Sequence, residues 1–488
     1  MGKFVEPSPL PASMTDEDEV EFFLNSVFAR VKSWLKEADG SEVHLDQTPS
    51  DIRRQVRLSL PLEGEGLEGA LEGIDDFLRH SVRTHHPNFM NPLWGGFSAS
   101  AFAGEVISAV AQSSMYTFQL APIATLIEQE IISRMSEIIG FSDGNGVLTT
   151  GGSNGNMLGL LCARHSHYPI GMKTGVDGRN LVMYVSAESH YSVLMAANVL
   201  GIGHDNVVKV STDEDGRMNC SRLEEEIEIT LAEGKTPLCI IATSGTTVRG
   251  AFDPIAKIAE IANRNGIWLH VDAAWGGACL FSNTHAELMR GVELADSICW
   301  DAHKMMGVPL ICSAFIIKNP RILRQTCNHT RAAHYLFHPN NEDLDVGHMS
   351  LQCGRRIDAL KLWLAWKEKG DAGWAKLVDG YVELAAYLEK RVVHEPSLEL
   401  MSTRTWTNVC FRYNPSSSEG NSEIDFNLLN SKLRDELSAT KQFLISRSNI
   451  AEDVVLRPVI ANPGVTREVL DKLVSEIVRI GNELIAAD

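Results

Sequence analysis

Asp272 and Lys304 are the two residues from which a reaction can be built. An apolar run ends in His270-Val271-Asp272-Ala273-Ala274-Trp275-Gly276-Gly277, and a second ends in Asp301-Ala302-His303-Lys304, its lysine 32 residues after the aspartate. Singly, Asp272 reads as a helix cap and Lys304 as a solvated strand end. Together they bring a carboxylate and an amine to one edge of a sheet. A partly desolvated lysine loses its proton more readily and can condense with an aldehyde. A buried carboxylate beside an aromatic nitrogen keeps that nitrogen protonated, so the ring can accept electrons. Ala274 is small enough to let a flat ring lie against the strand.

Pyridoxal phosphate is an aldehyde that needs both groups, and its phosphate needs fixed donors. Thr149-Thr150-Gly151-Gly152-Ser153-Asn154-Gly155-Asn156 leads into the helical run Met157–Arg164. A glycine-rich turn that opens a helix aims backbone N–H groups at an anion, although most such turns are only turns. Gly201-Ile202-Gly203-His204 does not complete a dinucleotide fingerprint. Ser189-His190-Tyr191-Ser192 offers His190 as a ring to stack on the cofactor, and Ser244-Gly245-Thr246-Thr247 offers hydroxyl donors. Among 16 histidines a given one is more often structural; His190 stands out because four successive strand ends carry polar residues.

Those ends belong to short β-rich runs alternating with helical ones between residues 100 and 325. Leu181–Ser186, Val207–Val210, Leu238–Thr243, Ile267–Val271, Ser297–Trp300 and Ile311–Lys318 read as buried strands. Asp253–Asn265 repeats Ile255, Ile258, Ala259 and Ala262 at helical spacing. Strands apolar on both faces, alternating with helices, predict an α/β fold with a mostly parallel central sheet covered on both sides. Ligands in such sheets bind at the carboxyl ends of the strands. The chain divides into an N-terminal helical segment (1–95), a large domain (96–330) and a mobile loop with a small C-terminal α/β domain (331–488). The first segment shows helical period through Val20, Phe23, Leu24, Val27, Phe28, Val31 and Leu35; it reads equally as an arm on another subunit or as a helical hairpin. The last domain holds helices at 357–369 and 376–394, strands at Asn408–Tyr413 and Val454–Ile460, and a helix through Leu470 to Leu484. Ser416-Ser417-Ser418 reads as a surface loop.

With 44 Lys plus Arg against 63 Asp plus Glu, the 488-residue chain carries a net charge of −19. That balance argues against nucleic acid or an anionic membrane as a partner. Val106–Ile127 is long enough to span a bilayer, but Gln112, Ser113, Ser114, Gln119 and Pro122 make a buried helix–turn region the expectation. Nine cysteines without CxxC spacing, and a start (Met1 to Glu6) without a signal-peptide core, predict reduced thiols in the cytoplasm. His334 and His338 have a metal pair's spacing but no third ligand, so no metal is expected.

The motifs SHYS, GTT, HVDAAWGG and the His-Lys step together resemble the pyridoxal-phosphate-dependent group II amino-acid decarboxylases of the glutamate, aspartate and cysteine-sulfinate branch. So do His86-Pro87-Asn88-Phe89-Met90-Asn91, Gly250-Ala251-Phe252-Asp253-Pro254, Gln352-Cys353-Gly354-Arg355-Arg356 and Leu362-Trp363-Leu364-Ala365-Trp366-Lys367. The likeness runs from about residue 85 to the C-terminus. It implies an aspartate-aminotransferase-like fold (fold type I) and Lys304 as the lysine linked to the cofactor. Asp272 would pair with the pyridine nitrogen, and His190 would stack over the ring. Gly152 and Ser153, helped by His303, would hold the phosphate, and Thr247 would lie near the ring oxygen. Arg457 would grip the substrate α-carboxylate, with Asn91 and Trp94 in the substrate loop. Tyr335, on a loop reaching a neighbouring subunit, would protonate the carbanion, which implies a homodimer. Read without the family, Arg457 is as well a structural ion-pair partner and Tyr335 ordinary packing.

Three departures bear on specificity. The branch usually has Asn-Pro where Asp301-Ala302 stand. Pro92 follows Asn91 where glutamate-specific members carry Gln, and Trp94 adds bulk. The loop Asn328–His334 also differs. The expected reaction is α-decarboxylation of a small acidic amino acid. The alternatives are a 2,4-diaminobutyrate or aromatic substrate, decarboxylation coupled to oxidative deamination (against which Tyr335 argues), or a catalytically silent regulatory homologue.

Overall fold

A computed structural model describes residues 16–37, 41–327, 337, 344–415 and 424–487. Two sheets organise it. After β1 (Phe89–Met90) come β2 (Asn145–Thr149), β3 (Leu181–Ser186), β4 (Val207–Val210), β5 (Thr236–Thr243), β6 (Trp268–Asp272), β7 (Ser297–Asp301) and β8 (Ser313–Ile317). These last seven form one sheet in the order β2-β8-β7-β6-β5-β3-β4. The pairs β4–β3, β3–β5, β5–β6 and β6–β7 are parallel; β8 runs antiparallel to both neighbours. The predicted mostly parallel sheet is therefore present. All six residues of β3 and all five of β6 and β7 are buried, as continuous apolar runs covered on both faces require.

The second sheet adds β9 (Leu398–Leu400), β10 (Phe411–Tyr413), β11 (Leu444–Ile450) and β12 (Asp453–Arg457) in the order β1-β11-β12-β10-β9. β1 pairs in parallel with β11, Phe89 opposite Leu444 and Met90 opposite Ile445. A strand from the N-terminal region thus completes the C-terminal sheet. The helices read at 357–369 and 376–394 are both present within Asp358–His394, joined at Gly370, whose backbone is not helical (φ 59°, ψ 179°). Of Asn408–Tyr413 only the last three residues form a strand, since Asn408 pairs singly with Val459.

Glycines set how closely the helix Gly152–His167 lies on the large sheet. Gly152, Gly155 and Gly159 share one face. A Cβ at Gly155 would come within 2.5 Å of Cys299 Sγ, and one at Gly159 within 2.6 Å of the His270 ring. Any larger residue would lift the helix, and with it the turn at its start.

The Val106–Ile127 region folds as the end of the helix Ala99–Ala111, a turn, and the start of the helix Pro122–Ile139. Ser108, Met115, Ala121, Ala124 and Ile127 are buried there, but Ile107, Val110, Leu120, Ile123 and Leu126 are exposed, so the expected burial holds for one face only. No helix among the described residues is long and apolar enough to cross a membrane.

Candidate active site

The carboxyl ends of β3, β5, β6 and β7 converge on one edge, where polar groups replace the apolar run. Asp272 ends β6 with 6% of its surface exposed. Its Oδ1 accepts the Ala274 N–H at 3.1 Å, and its Oδ2 accepts Asn156 Nδ2 at 2.7 Å. Asn156 lies on the helix that the glycine turn opens.

A chain of hydrogen bonds stands behind that contact, and its direction follows from the indole, which only donates. Trp268 Nε1–H donates to Ser297 Oγ at 3.0 Å, leaving the serine hydroxyl to donate to His270 Nδ1 at 2.9 Å. His270 Nε2–H then donates to Asn156 Oδ1 at 3.0 Å, which turns the amide N–H groups of Asn156 toward Asp272 and Ser192 Oγ. Burial pushes the His270 imidazole down to about 4, so the ring is neutral, as this arrangement needs. Sequence reasoning named Asp272 but not its supports Asn156, His270, Ser297 and Ser192. A histidine inside an apolar strand was the signal open to it.

Lys304 sits in the turn after β7. Its side chain is one-fifth exposed, and Nζ lies 3.1 Å from Asp301 Oδ2. Burial alone would lower its proton affinity, but Asp301 and then Asp272 outweigh that and hold the ammonium above the usual lysine range. His190 follows β3 and feels the charges of Asp272, Lys304 and Asp301; burial holds its imidazole below the ordinary histidine range. Its Nδ1 accepts the Ser192 N–H at 3.3 Å.

Gly152 and Ser153 begin their helix after Gly151 (φ 104°), with no side chain capping the turn. A Cβ at Gly152 would lie 2.9 Å from Asp301 Oδ2 and 3.1 Å from the Ala274 Cβ, so the turn, Ala274 and the lysine's neighbour meet. His303 is held through both ring nitrogens: Nδ1 faces the Cys312 backbone (2.8 Å to its carbonyl) and Nε2 lies 3.5 Å from Asp301 Oδ2.

Residues of the small sheet reach the loop after β5. Arg457, at the end of β12, donates from Nε to Ser446 Oγ at 3.1 Å and from its terminal NH1 group to the Thr247 carbonyl. Asn408 also donates to the Thr247 carbonyl, at 3.0 Å, and accepts Trp275 Nε1–H at 2.9 Å, which ties the two domains together beside the site. Asn91 and Trp94 follow β1, and the Val459 N–H donating to the Met90 carbonyl at 3.1 Å fastens that loop to the strand end bearing Arg457. Trp94 packs on Phe89 and lines an apolar cavity of about 360 Å³ with Trp34, Phe97, Phe102, Leu310 and His303. Tyr335, like His334 and His338, lies outside the described residues.

A family model described as the pyridoxal-dependent decarboxylase conserved domain matches residues 49–414. The chain belongs to that family. Human cysteine sulfinic acid decarboxylase is 36% identical over 491 residues, spanning 97% of this chain and 99% of the relative. The mouse acidic amino acid decarboxylase GADL1 is 34% identical, spanning 99% of this chain and 90% of its own. The crystal structure of mouse CSAD superposes with a TM-score of 0.92 at 34% identity, over 96% of this chain and 99% of that one. Oryza sativa TDC with PLP and tryptamine superposes with a TM-score of 0.89 at 23% identity, which shows the shared fold.

The protein is thus a pyridoxal-phosphate-dependent amino-acid decarboxylase of fold type I. Its residues fit the cofactor: an uncapped helix start without side-chain bulk for the phosphate, a buried and doubly hydrogen-bonded carboxylate, and an amine between them.

Proposed function

We propose that this enzyme removes the α-carboxylate of a small acidic amino acid (aspartate, glutamate or cysteine sulfinate) in the cytoplasm as a homodimer. The observation that carries the reaction is the convergence of Asp272, Lys304 and the glycine turn on one sheet edge. The near-complete alignment with cysteine sulfinic acid decarboxylase and the acidic amino acid decarboxylase GADL1 supports the substrate class. Nine free cysteines, seven of them buried, fit a reducing compartment. Exposed Ile107, Val110, Ile123 and Leu126 supply apolar surface of the kind subunit interfaces cover.

We assign residues 96–330 to the cofactor domain, residues 1–95 to the N-terminal helical segment, and residues 331–488 to the part that contains the small C-terminal domain. Pyridoxal phosphate supplies a conjugated ring that takes up the electron pair left when CO₂ departs. Asp272 would pair with the ring nitrogen, and the Asn156 hydrogen bond fixes its orientation. Gly152 and Ser153 hold the phosphate with backbone N–H groups, with His303 next to the linking lysine. Ala274 and His190 would bound the two faces of the ring, and Thr247 would lie near its oxygen. Arg457 grips the substrate carboxylate and, with Asn91 and Trp94, sets the breaking bond perpendicular to the ring. Tyr335 would return a proton to the α-carbon, and Lys304 would hold the cofactor by its amine. Stabilising the carbanion rather than the bound substrate is what accelerates the reaction.

The apolar cavity beside Trp94 favours a second reading, an aromatic substrate. A CO₂-release screen over the amino acids with product identification separates the two: turnover of aspartate, glutamate or cysteine sulfinate is expected. Preference for an aromatic amino acid would replace the first reading with the second. The control is Lys304→Ala, expected to lose both turnover and the cofactor's visible absorbance band.

A further inference from the structure

Asp301 ends β7 three residues before Lys304 and is a carboxylate where the branch usually has a neutral amide. Its side chain is 1% exposed. One oxygen, Oδ2, lies 3.1 Å from Lys304 Nζ and 3.5 Å from His303 Nε2. The other, Oδ1, is buried without a hydrogen-bond partner among the described residues. Opposite stands Gly152, close enough that a Cβ there would sit 2.9 Å from Oδ2. Asp272 is differently placed, with Asn156 and the Ala274 N–H satisfying its two oxygens. The site therefore holds two carboxylates with separate partners.

We propose that Asp301 is a positioning residue for Lys304, holding its amine as an ammonium beside the glycine turn, so that proton loss from this pair gates covalent capture of the cofactor. The inference rests on the reading of Lys304 as the linking lysine. In the capture step the ammonium, on a side chain one-fifth exposed, gives up one proton to solvent. The nitrogen lone pair then adds to the aldehyde carbon, and one water leaves as the carbon–nitrogen double bond forms.

The other groups that act on the amine are Asp272, His190, Cys299 and His303. Burial holds both imidazoles below the ordinary histidine range and pushes the Cys299 thiol well up, so all three are neutral near pH 7. The two aspartates remain as the charges that hold the proton. Removing one lowers the pH at which the amine becomes nucleophilic. Asp301 is the one whose removal leaves the ring-nitrogen partner intact.

The test is stopped-flow capture of pyridoxal phosphate by cofactor-free protein, followed by absorbance from mildly acidic to alkaline pH. The wild-type rate is expected to rise with pH. In Asp301→Asn the midpoint should fall by about one unit or more, an opposite charge within hydrogen-bond distance being worth that much. At neutral pH that corresponds to capture about tenfold faster. Asp301→Glu should keep the high midpoint, and Asp301→Ser serves as the neutral variant if Asn does not fold. An unmoved midpoint in the neutral variant, or slower capture at every pH, overturns the proposal. Borohydride reduction and peptide mapping separate the two levels. A label on another lysine defeats the site reading itself; a label on Lys304 with an unmoved midpoint defeats the role of Asp301 alone.

Discussion

At the scale of single residues, the relay from Trp268 to Asp272 makes His270 a place where acid should act. The ring titrates near about 4 in the folded protein against an ordinary 6.5, so the unfolded chain binds the extra proton first. The stability His270 contributes is therefore present above pH 6.5 and lost as pH falls toward 4. A gap of that size corresponds to about 3 kcal/mol. His270→Gln, whose amide can still donate to Asn156, should lose less stability between neutral and acidic pH than wild type in urea titrations. Equal losses in both proteins would show that the ring is not the titrating group. Asp272 and Lys304 were legible in the sequence because each closes an apolar run. Asn156 was not: it meets Asp272 and His270 from 116 and 114 positions away, a distance that no local pattern encodes. Asp301 was visible as an oddity of spelling, and its meaning required the 3.1 Å contact.

At the scale of elements, period and composition located β3 and β4 to the residue and four further strands of the large sheet to within two. They missed β2, whose glycine interrupts the apolar signal, and β1, which is only two residues long. The helices at 357–369 and 376–394 were legible as two, and they meet at Gly370, where the backbone leaves helical geometry. The glycine face of the helix Gly152–His167 gives a paired prediction. Gly159→Ala should lower stability by about 1–3 kcal/mol, since the new methyl overlaps the His270 ring and a packed interior must shift to admit it. Gly380→Ala, in the helix Asp358–His394 with nothing within 4 Å of the new carbon, should be neutral or raise stability by about 0.5–1 kcal/mol. Thermal melts of the two variants check both signs, and equal melting temperatures would mean that the close approach is not tight.

At the scale of the whole molecule, the proposed homodimer and the proposed role of Tyr335 can be tested together. Lys304→Ala and Tyr335→Phe should each form almost no amine product as homodimers. Mixed and reassociated, they form dimers in which one site keeps its own Lys304 and receives an intact Tyr335 from its neighbour. Activity should return on mixing if the tyrosine works across the interface. Mixtures as inactive as their parents would place it within its own subunit.

The pairing of Phe89 with Leu444 sets an order of events in synthesis. A nascent chain leaves the ribosome with its first strand made and that strand's partner more than 350 residues away. The small sheet closes only when synthesis is nearly finished, and contacts of such separation are slow to form. Until then Phe89 and Met90, both buried in the finished protein, have no sheet to join. A truncation that stops before residue 444 would leave this segment as a sticky end open to chaperones.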